Sequence, residues 1–180
     1  MRADARAKRD QIVTAALAQI GTRPNSEITL EGIAADADVG IATLYRHFPT
    51  RAALYDACAI VFLERIESLL DDALDGFEDN PVERFESFVW ALVESGVGIL
   101  AAALAADSSD GGLGARRDAF MGKVQLLIDA AAPHGIIAPG QSPMQLATEL
   151  VVATRPLADI LPDVRDRLVR HLMAGWRTTA

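Results

Sequence analysis

The chain has 180 residues, of which 51% are hydrophobic, so it is long and apolar enough to bury a core and is not expected to be disordered. It is rich in Ala and Leu and only 6% aromatic, a composition that favours an all-α class over a strand-rich fold. A single cysteine, Cys58, excludes an internal disulfide, and neither a secretory leader nor a membrane-spanning apolar stretch is evident. We therefore expect a cytoplasmic protein with no membrane partner.

The acidic charge is concentrated outside the first third of the chain. A formal net charge of −8 argues by itself against a nucleic-acid partner, because phosphate binding depends on Lys and Arg. Residues 1–55, however, hold seven Lys or Arg against six Asp or Glu, whereas residues 56–180 hold ten against nineteen. The densest basic stretch is the head of the chain, with Arg2, Arg6, Lys8 and Arg9. Such a stretch is either an arm that reaches DNA phosphates or a solvated terminus.

The first third of the chain predicts three helices. Apolar periodicity predicts the first from about residue 5 to Gly21, where glycine suits a C-terminal cap. Thr29 offers an N-cap hydroxyl for the second helix. The segment Asp38-Val39-Gly40 predicts a turn before the third helix, which should end near His47. This arrangement predicts an N-terminal domain of residues 1–55.

The remainder, residues 56–180, predicts a larger helical bundle. Thr50 can cap a long helix from Arg51 to about Phe77. The later predicted elements are a helix from Pro81 to about Ala106 after the cap Asn80, a loop at 107–112, a helix ending near Pro133, a loop at 134–141, a helix opened by the capping box Ser142-Pro143-Met144-Gln145 and kinked or ended by Pro156, and a helix from about Pro162 to Trp176.

Residues 29–48 have the spacing of a helix-turn-helix motif. Ala34 is small where two helices must cross closely, Asp38 occupies the turn four residues later, and Leu44 is a buried anchor in the second helix. The other side of that helix predicts small or hydrogen-bonding groups that suit a DNA major groove: Ala42, Thr43, Arg46 and His47. Tyr45 can offer its hydroxyl to a phosphate. The alternative is that these helices are only a packed pair within a bundle.

The sequence around this motif is distinctive. Thr43-Leu44-Tyr45-Arg46-His47-Phe48-Pro49-Thr50-Arg51, preceded by Ala37-Asp38-Val39-Gly40-Ile41-Ala42, resembles the recognition-helix signature of TetR-family transcriptional regulators. Ile12-Val13-Thr14-Ala15-Ala16-Leu17 is similar to the start of that family, and the resemblance covers about residues 8–60. It implies a ligand-responsive repressor that binds a palindromic operator as a homodimer. It also implies that the C-terminal bundle dimerises and binds a small-molecule effector, whose identity stays open.

The resemblance also implies which residues meet DNA. It assigns DNA contacts to Thr43, Tyr45 and His47, and phosphate contacts to Arg51 and Thr29 at the starts of two helices. The full predicted set is Thr29, Gly40, Ala42, Thr43, Tyr45, Arg46, His47 and Arg51.

Three residues depart from the family pattern. The turn has Asp38 where Gly is usual, and the next helix opens with Gly40 where Ser is usual. Asp tolerates left-handed backbone and Gly can cap a helix, so neither departure breaks the motif. Ile41 stands where a polar or basic residue is common and removes one possible backbone or base contact. The preferred base sequence is therefore not transferable from relatives.

Apolar residues of the middle helices could line an effector cavity, although plain core packing explains any one of them as well. The predicted pocket residues are Phe62, Phe85, Phe88, Leu92, Phe120 and Met121. Gly96 and Gly98 are unfavourable within a predicted helix and indicate either space for a ligand or close helix packing. Two apolar stripes on the last helices could pack inward or form a dimer seam, and the family resemblance favours the seam. The predicted seam residues are Leu146, Leu150, Leu157, Leu168, Leu172 and Trp176.

Nothing in the sequence indicates catalysis or a bound metal. His47, His134 and His171 lie far apart, without a second ligand at metal-binding spacing or the partners of a catalytic triad. We therefore expect no cofactor and no enzymatic activity. The competing interpretation is a helical ligand-binding protein that has lost DNA recognition, which the departures at Asp38, Gly40 and Ile41 would allow.

Overall fold

The computed structural model describes residues 2–107, 113–155 and 162–177. All regular structure in these ranges is helical, which confirms the predicted all-α class. The α-helices are α1 (Arg2–Thr22), α2 (Leu30–Asp36), α3 (Ile41–His47), α4 (Arg51–Leu74), α5 (Pro81–Glu94), α6 (Val97–Asp107), α7 (Leu113–Ala131), α8 (Pro143–Ala153) and α9 (Pro162–Gly175). Short 3-10 turns occupy Asn25–Glu27, Phe77–Asp79 and Ala132–His134.

The chain divides into two compact units. The first comprises Met1–Phe62 with Leu100–Leu113, and the second comprises Leu63–Ile99 with Gly114–Ala180. The division runs through α4 and α6. Because no linker marks it, the expected domain boundary after residue 55 stays a prediction.

The first unit is built around the helix-turn-helix. Helix α1 packs against both α2 and α3, and α2 packs against α3. Its core contains the fully buried Ile12, Ile33, Leu44, Leu54 and Tyr55. These side chains come from four helices, so removing apolar surface at this centre would loosen all of them together.

The stretch predicted as one helix from Pro81 to Ala106 is two helices, so that prediction was wrong. Helix α5 stops at Glu94 because Gly96 adopts a left-handed conformation with φ of 79°. The Ser95 hydroxyl donates to the carbonyl oxygen of Leu92 at 2.7 Å and satisfies one of the last acceptors of α5. Glycine enters the left-handed region without steric penalty, which allows α5 to end here and α6 to begin at Val97.

Other predicted helix ends are also adjusted. Helix α4 ends at Leu74, three residues before the predicted end, and is followed by left-handed Gly76 with φ of 64°. The predicted capping box does not form, because Ser142 makes no side-chain cap hydrogen bond and Gln145 donates to Glu149 instead. The predicted loop residues 108–112 and Pro156 lie outside the described residues.

Trp176 organises the C-terminal part of the second unit. Its indole N–H donates to a Glu149 carboxylate oxygen at 2.7 Å, and its carbonyl oxygen accepts from the Ala138 N–H at 2.7 Å. The ring of Phe85 meets the indole edge-on with centroids 6.3 Å apart. Helices α8 and α9 pack against each other, and Trp176, just after α9, joins α5, α8 and the loop before α8.

Candidate nucleic-acid interface

Hydrogen bonds fix both the start of α2 and the turn between α2 and α3. The Thr29 hydroxyl oxygen accepts from the Gly32 N–H at 3.0 Å, which confirms its predicted role as the N-cap of α2. Asp38 has a left-handed backbone with φ of 52°, the conformation that the sequence predicted this residue would tolerate. The Val39 N–H donates to the Ala34 carbonyl at 3.0 Å. The direction of α3 is therefore set by backbone geometry.

Helix α3 is anchored by one side and presents the other. Leu44 is completely buried, and Phe48 just after the helix is buried as well. Gly40 caps the helix without a side-chain bond. Of the residues predicted to contact DNA, Gly40, Ala42, Tyr45 and Arg46 are exposed, whereas Thr43 and His47 are half-buried. This face also presents Ile41, which is not among the residues predicted to contact DNA.

Arg46 and Thr43 interact within the free protein. An Arg46 guanidinium N–H donates to the Thr43 hydroxyl oxygen at 2.9 Å, one helical turn earlier. This bond uses only one of the five guanidinium donors and restricts the long Arg46 side chain to one side of α3. Arg46 is thereby oriented before any partner arrives, which reduces the conformational entropy lost on binding.

Arg51 is half-buried and makes several contacts inside its own unit, while its predicted phosphate contact stays a prediction. Its guanidinium donates to the Ile28 carbonyl at 2.8 Å, the Asn25 side-chain oxygen at 2.8 Å and the Tyr55 hydroxyl at 2.6 Å. The Tyr55 hydroxyl in turn donates to the same Asn25 oxygen at 2.9 Å, and the guanidinium lies 4.7 Å from the Tyr55 ring centroid. Arg51 therefore clamps the start of α4 to the loop before α2.

Two further contacts orient the motif and were not predicted from the sequence. The Gln19 amide donates to an Asp36 carboxylate oxygen at 2.7 Å, which ties α1 to the end of α2. The Arg9 guanidinium lies 5.2 Å from the ring centroid of Phe48. Arg9 belongs to the basic head, whose described residues form the first turns of α1 rather than an extended arm. The apolar periodicity of α1 indicates which of its faces is buried, but it does not indicate which distant residues that face contacts.

Cys58 is sealed in the core of the same unit. Burial raises the pKa of its thiol to about 12, against a smaller opposing effect of the Arg9 charge. The thiol therefore stays protonated and unreactive while the unit is folded.

The predicted pocket residues are mostly buried. Phe85, Phe88 and Leu92 share one buried face of α5, Phe120 is buried on α7, and Met121 is half-buried. Phe62 is buried in the first unit. Of the two predicted glycines, Gly98 has a close-packing role, because a Cβ there would lie 2.4 Å from the Thr154 carbonyl carbon.

The predicted dimer seam stays a prediction, but several of its residues are already covered within the chain. Leu146, Leu150 and Trp176 are buried within the chain itself and have little surface left for a partner. Leu168 is 41% exposed, Leu172 is half-buried, and Leu157 lies outside the described residues. The exposed apolar surface of α8 instead comes from Met144 and Val152, the latter 64% exposed. Periodicity identified apolar stripes, but it did not distinguish which of their residues a neighbouring helix already covers.

No group of three or more His, Cys, Asp or Glu side chains in residues 2–107, 113–155 and 162–177 is arranged to hold a metal ion. No helix in the same ranges combines the length and apolar content needed to cross a bilayer.

Comparison with known proteins agrees with this geometry. Residues 12–58 match the family model for bacterial regulatory proteins of the tetR family. Over 93 residues the chain is 32% identical to the nucleoid occlusion factor SlmA of Idiomarina loihiensis, covering 49% of this chain and 44% of that protein. Over 73 residues it is 34% identical to the same factor of Shewanella amazonensis, covering 38% and 36%. The matched part thus spans less than half the length of these curated relatives.

Solved structures extend the likeness to nearly the whole chain. A TetR transcription regulatory protein from Mycobacterium vanbaalenii is 25% identical with a TM-score of 0.61, covering 98% of this chain and 99% of that one. A TetR transcriptional regulator from Streptomyces coelicolor is 28% identical with a TM-score of 0.60, covering 96% and 99%. The fold and motif define an all-helical protein with an N-terminal helix-turn-helix. Residues 12–58 thus match the tetR family, and the chain shares the fold of these TetR regulators, in agreement with the resemblance of residues 37–51.

Proposed function

We propose that this protein is a DNA-binding transcriptional regulator that recognises a palindromic operator as a homodimer and is released by a small-molecule effector. The observation that carries the proposal is the exposed face of α3, with Ala42, Tyr45 and Arg46 held outward by the buried anchor Leu44. A short helix presented in this way fits a major groove, where side chains read base edges. The role of repressor is proposed from the family resemblance.

The distribution of charge supports this function. The N-terminal residues 1–55 are close to neutral, while the strongly acidic residues 56–180 would be repelled by DNA phosphates. Thr29 and Tyr45 add hydroxyl groups suited to phosphate oxygens: the Thr29 oxygen accepts a cap bond, but its proton remains to be donated. Arg51 contributes by positioning, because its guanidinium is bonded to Ile28, Asn25 and Tyr55.

The decisive test has two steps. DNA sequences that bind the full chain are first selected from a random pool, and fluorescence anisotropy then measures the affinity for the selected sequences. We expect an enriched palindrome, with affinity falling steeply as salt rises. Arg46→Ala should weaken binding to the selected palindrome about tenfold or more. An arginine that makes two hydrogen bonds to one base favours that base over others by about 1–3 kcal/mol. Arg117→Ala, at an exposed arginine of α7, is the matched control and should bind like the wild type. Equal losses for both variants would contradict base reading by Arg46.

Dimerisation is proposed through exposed apolar residues of the last two helices. Met144 and Val152 on α8 and Leu168 on α9 are exposed in the single chain, and a twofold interface would cover them. We expect Val152→Glu with Leu168→Glu to shift the protein from dimer to monomer in size-exclusion chromatography with light scattering. Leu126→Glu on α7, also exposed, should leave the dimer intact. Monomers in both cases, or in neither, would contradict this surface.

An effector site in the second unit is proposed from its apolar residues. Phe85, Phe88 and Leu92 on α5, with Phe120 and Met121 on α7, are the candidates. A thermal-shift screen of small apolar molecules tests this, because a ligand that binds only the folded state raises its stability. The same ligand should then lower the affinity for the selected palindrome.

A second candidate function follows from the relatives named as nucleoid occlusion factors. Those names support nucleoid occlusion as the second candidate. A deletion strain separates the two functions. Altered transcription of genes beside its binding sites supports the regulator, whereas unchanged transcription with division septa placed over the nucleoid supports nucleoid occlusion.

A further inference from the structure

The exposed face of α3 has few hydrogen-bonding side chains. Ile41 and Tyr45 are four residues apart and form one row, 36% and 46% exposed, and Ala42 and Arg46 form the second. Of these four, only Tyr45 and Arg46 have polar side-chain groups, and Arg46 is already bonded to Thr43. Half of the face is therefore apolar.

Part of the Ile41 side chain stays open although it borders the anchor of α3. Ile41 lies three residues before the buried Leu44, so the two are neighbours on the helix surface, yet Ile41 keeps 36% of its surface exposed. Isoleucine is also a poorer helix former than alanine, so helix propensity does not favour it at this position. The exposed part of Ile41 can meet a partner that offers a complementary apolar group.

A DNA major groove offers one such group, the C5-methyl of thymine. We propose that Ile41, assisted by the neighbouring Ala42 methyl, reads a thymine methyl in each operator half-site. This inference rests on the proposed DNA-binding function and adds a determinant of base preference to it. Cytosine has only hydrogen at C5, so the contact selects thymine over cytosine at the pyrimidine that Ile41 meets. Ile41 therefore replaces the polar contact that is common at this position with an apolar contact to the base.

The test removes that methyl and nothing else. In the selected palindrome, each thymine is replaced singly by deoxyuridine, which keeps base pairing but lacks the C5-methyl. We expect wild-type protein to lose affinity about fourfold at one thymine per half-site, the effect of one buried methyl group. When that thymine is replaced in both half-sites, the total loss of affinity should be the product of the two single losses.

The variants assign the methyl effect to a side chain. Ile41→Ala should bind the thymine and deoxyuridine duplexes equally, and Ile41→Val should retain part of the difference. Val61→Ala is the matched control, because Val61 is a β-branched residue 40% exposed on α4 and outside the motif. It should retain the full wild-type difference. Circular dichroism checks that Ile41→Ala is folded, and alanine at an exposed helix position favours this.

The outcomes separate this inference from the function it rests on. Specific binding with no methyl-sensitive thymine, or an unchanged sensitivity in Ile41→Ala, overturns the role of Ile41 and leaves the proposed function standing. Failure to enrich any sequence overturns the proposed function, and this inference with it. A sensitivity present in wild type and Val61→Ala but absent in Ile41→Ala supports the inference.

Discussion

Replacing Gly98 by alanine is expected to destabilise the protein by about 2 kcal/mol or more, in the range of overpacked cores. A Cβ at Gly98, in the first turn of α6, would lie 2.4 Å from both the carbonyl carbon and the hydroxyl oxygen of Thr154, at the end of α8. Thr154 is buried, and its hydroxyl donates to the Leu150 carbonyl at 2.6 Å, so rotating its side chain would break that bond. The backbone atoms cannot rotate away at all.

Gly122→Ala is the matched control for this substitution. Gly122 also lies within a helix, α7, but is exposed, and a Cβ there would meet nothing within 4 Å. Alanine should therefore stabilise the protein by about 0.5–1 kcal/mol. Urea unfolding followed by circular dichroism measures both variants. If Gly98→Ala were as stable as wild type, the close approach of α6 and Thr154 would be contradicted.

Arg51→Lys is expected to loosen the N-terminal unit almost as much as Arg51→Ala. Lysine keeps the positive charge but lacks the planar fork that reaches Ile28, Asn25 and Tyr55 together. Hydrogen bonds from a charged group contribute about 1.5–3 kcal/mol, so we expect a loss of about 2 kcal/mol. A residue that served only as a phosphate anchor would tolerate lysine, because charge alone attracts a phosphate.

The Cys58 thiol reports this loosening directly. Burial raises its pKa to about 12, so a thiol reagent reacts only when the unit opens. In Arg51→Lys and Arg51→Ala, labelling should be about thirtyfold faster than in wild type, the equivalent of about 2 kcal/mol. Arg65→Lys, at an exposed position of the same helix, should label like wild type. Two results together would support a phosphate contact by Arg51 instead. The Arg51→Lys variant would label at the wild-type rate, and in Arg51→Ala the slope of log DNA affinity against log salt concentration would fall by about one.

The helix-turn-helix was predictable from the sequence because its determinants are local. Thr29 caps α2 through a hydroxyl three residues from its partner, and Asp38 turns the chain through its own backbone. The all-α class follows from composition and periodicity in the same way. The outward face of α3 was predictable too, since once Leu44 is identified as the anchor, helical geometry places the remaining residues.

Contacts between distant residues could not be predicted, because one sequence does not say which groups meet. The role of Arg51 depends on Asn25 and Ile28, more than twenty residues away, and on the hydroxyl of the buried Tyr55. The break at Gly96 needed the left-handed conformation that the surroundings impose. A glycine within an apolar run is compatible with either a continuous or a broken helix.

The two apolar stripes on the last helices also show that one sequence does not indicate which groups meet. A periodic row of leucines identifies an apolar helix face, but burial depends on which neighbour covers it. Leu146, Leu150 and Trp176 are covered within their own unit, while Val152 and Leu168 are left exposed. The sequence by itself thus determined the helical class, the resemblance to the TetR family and the position of the helix-turn-helix motif, because local spacing encodes them. Only the tertiary structure decided which side chains are internal clamps and which stay exposed, because burial is a property of the packed chain.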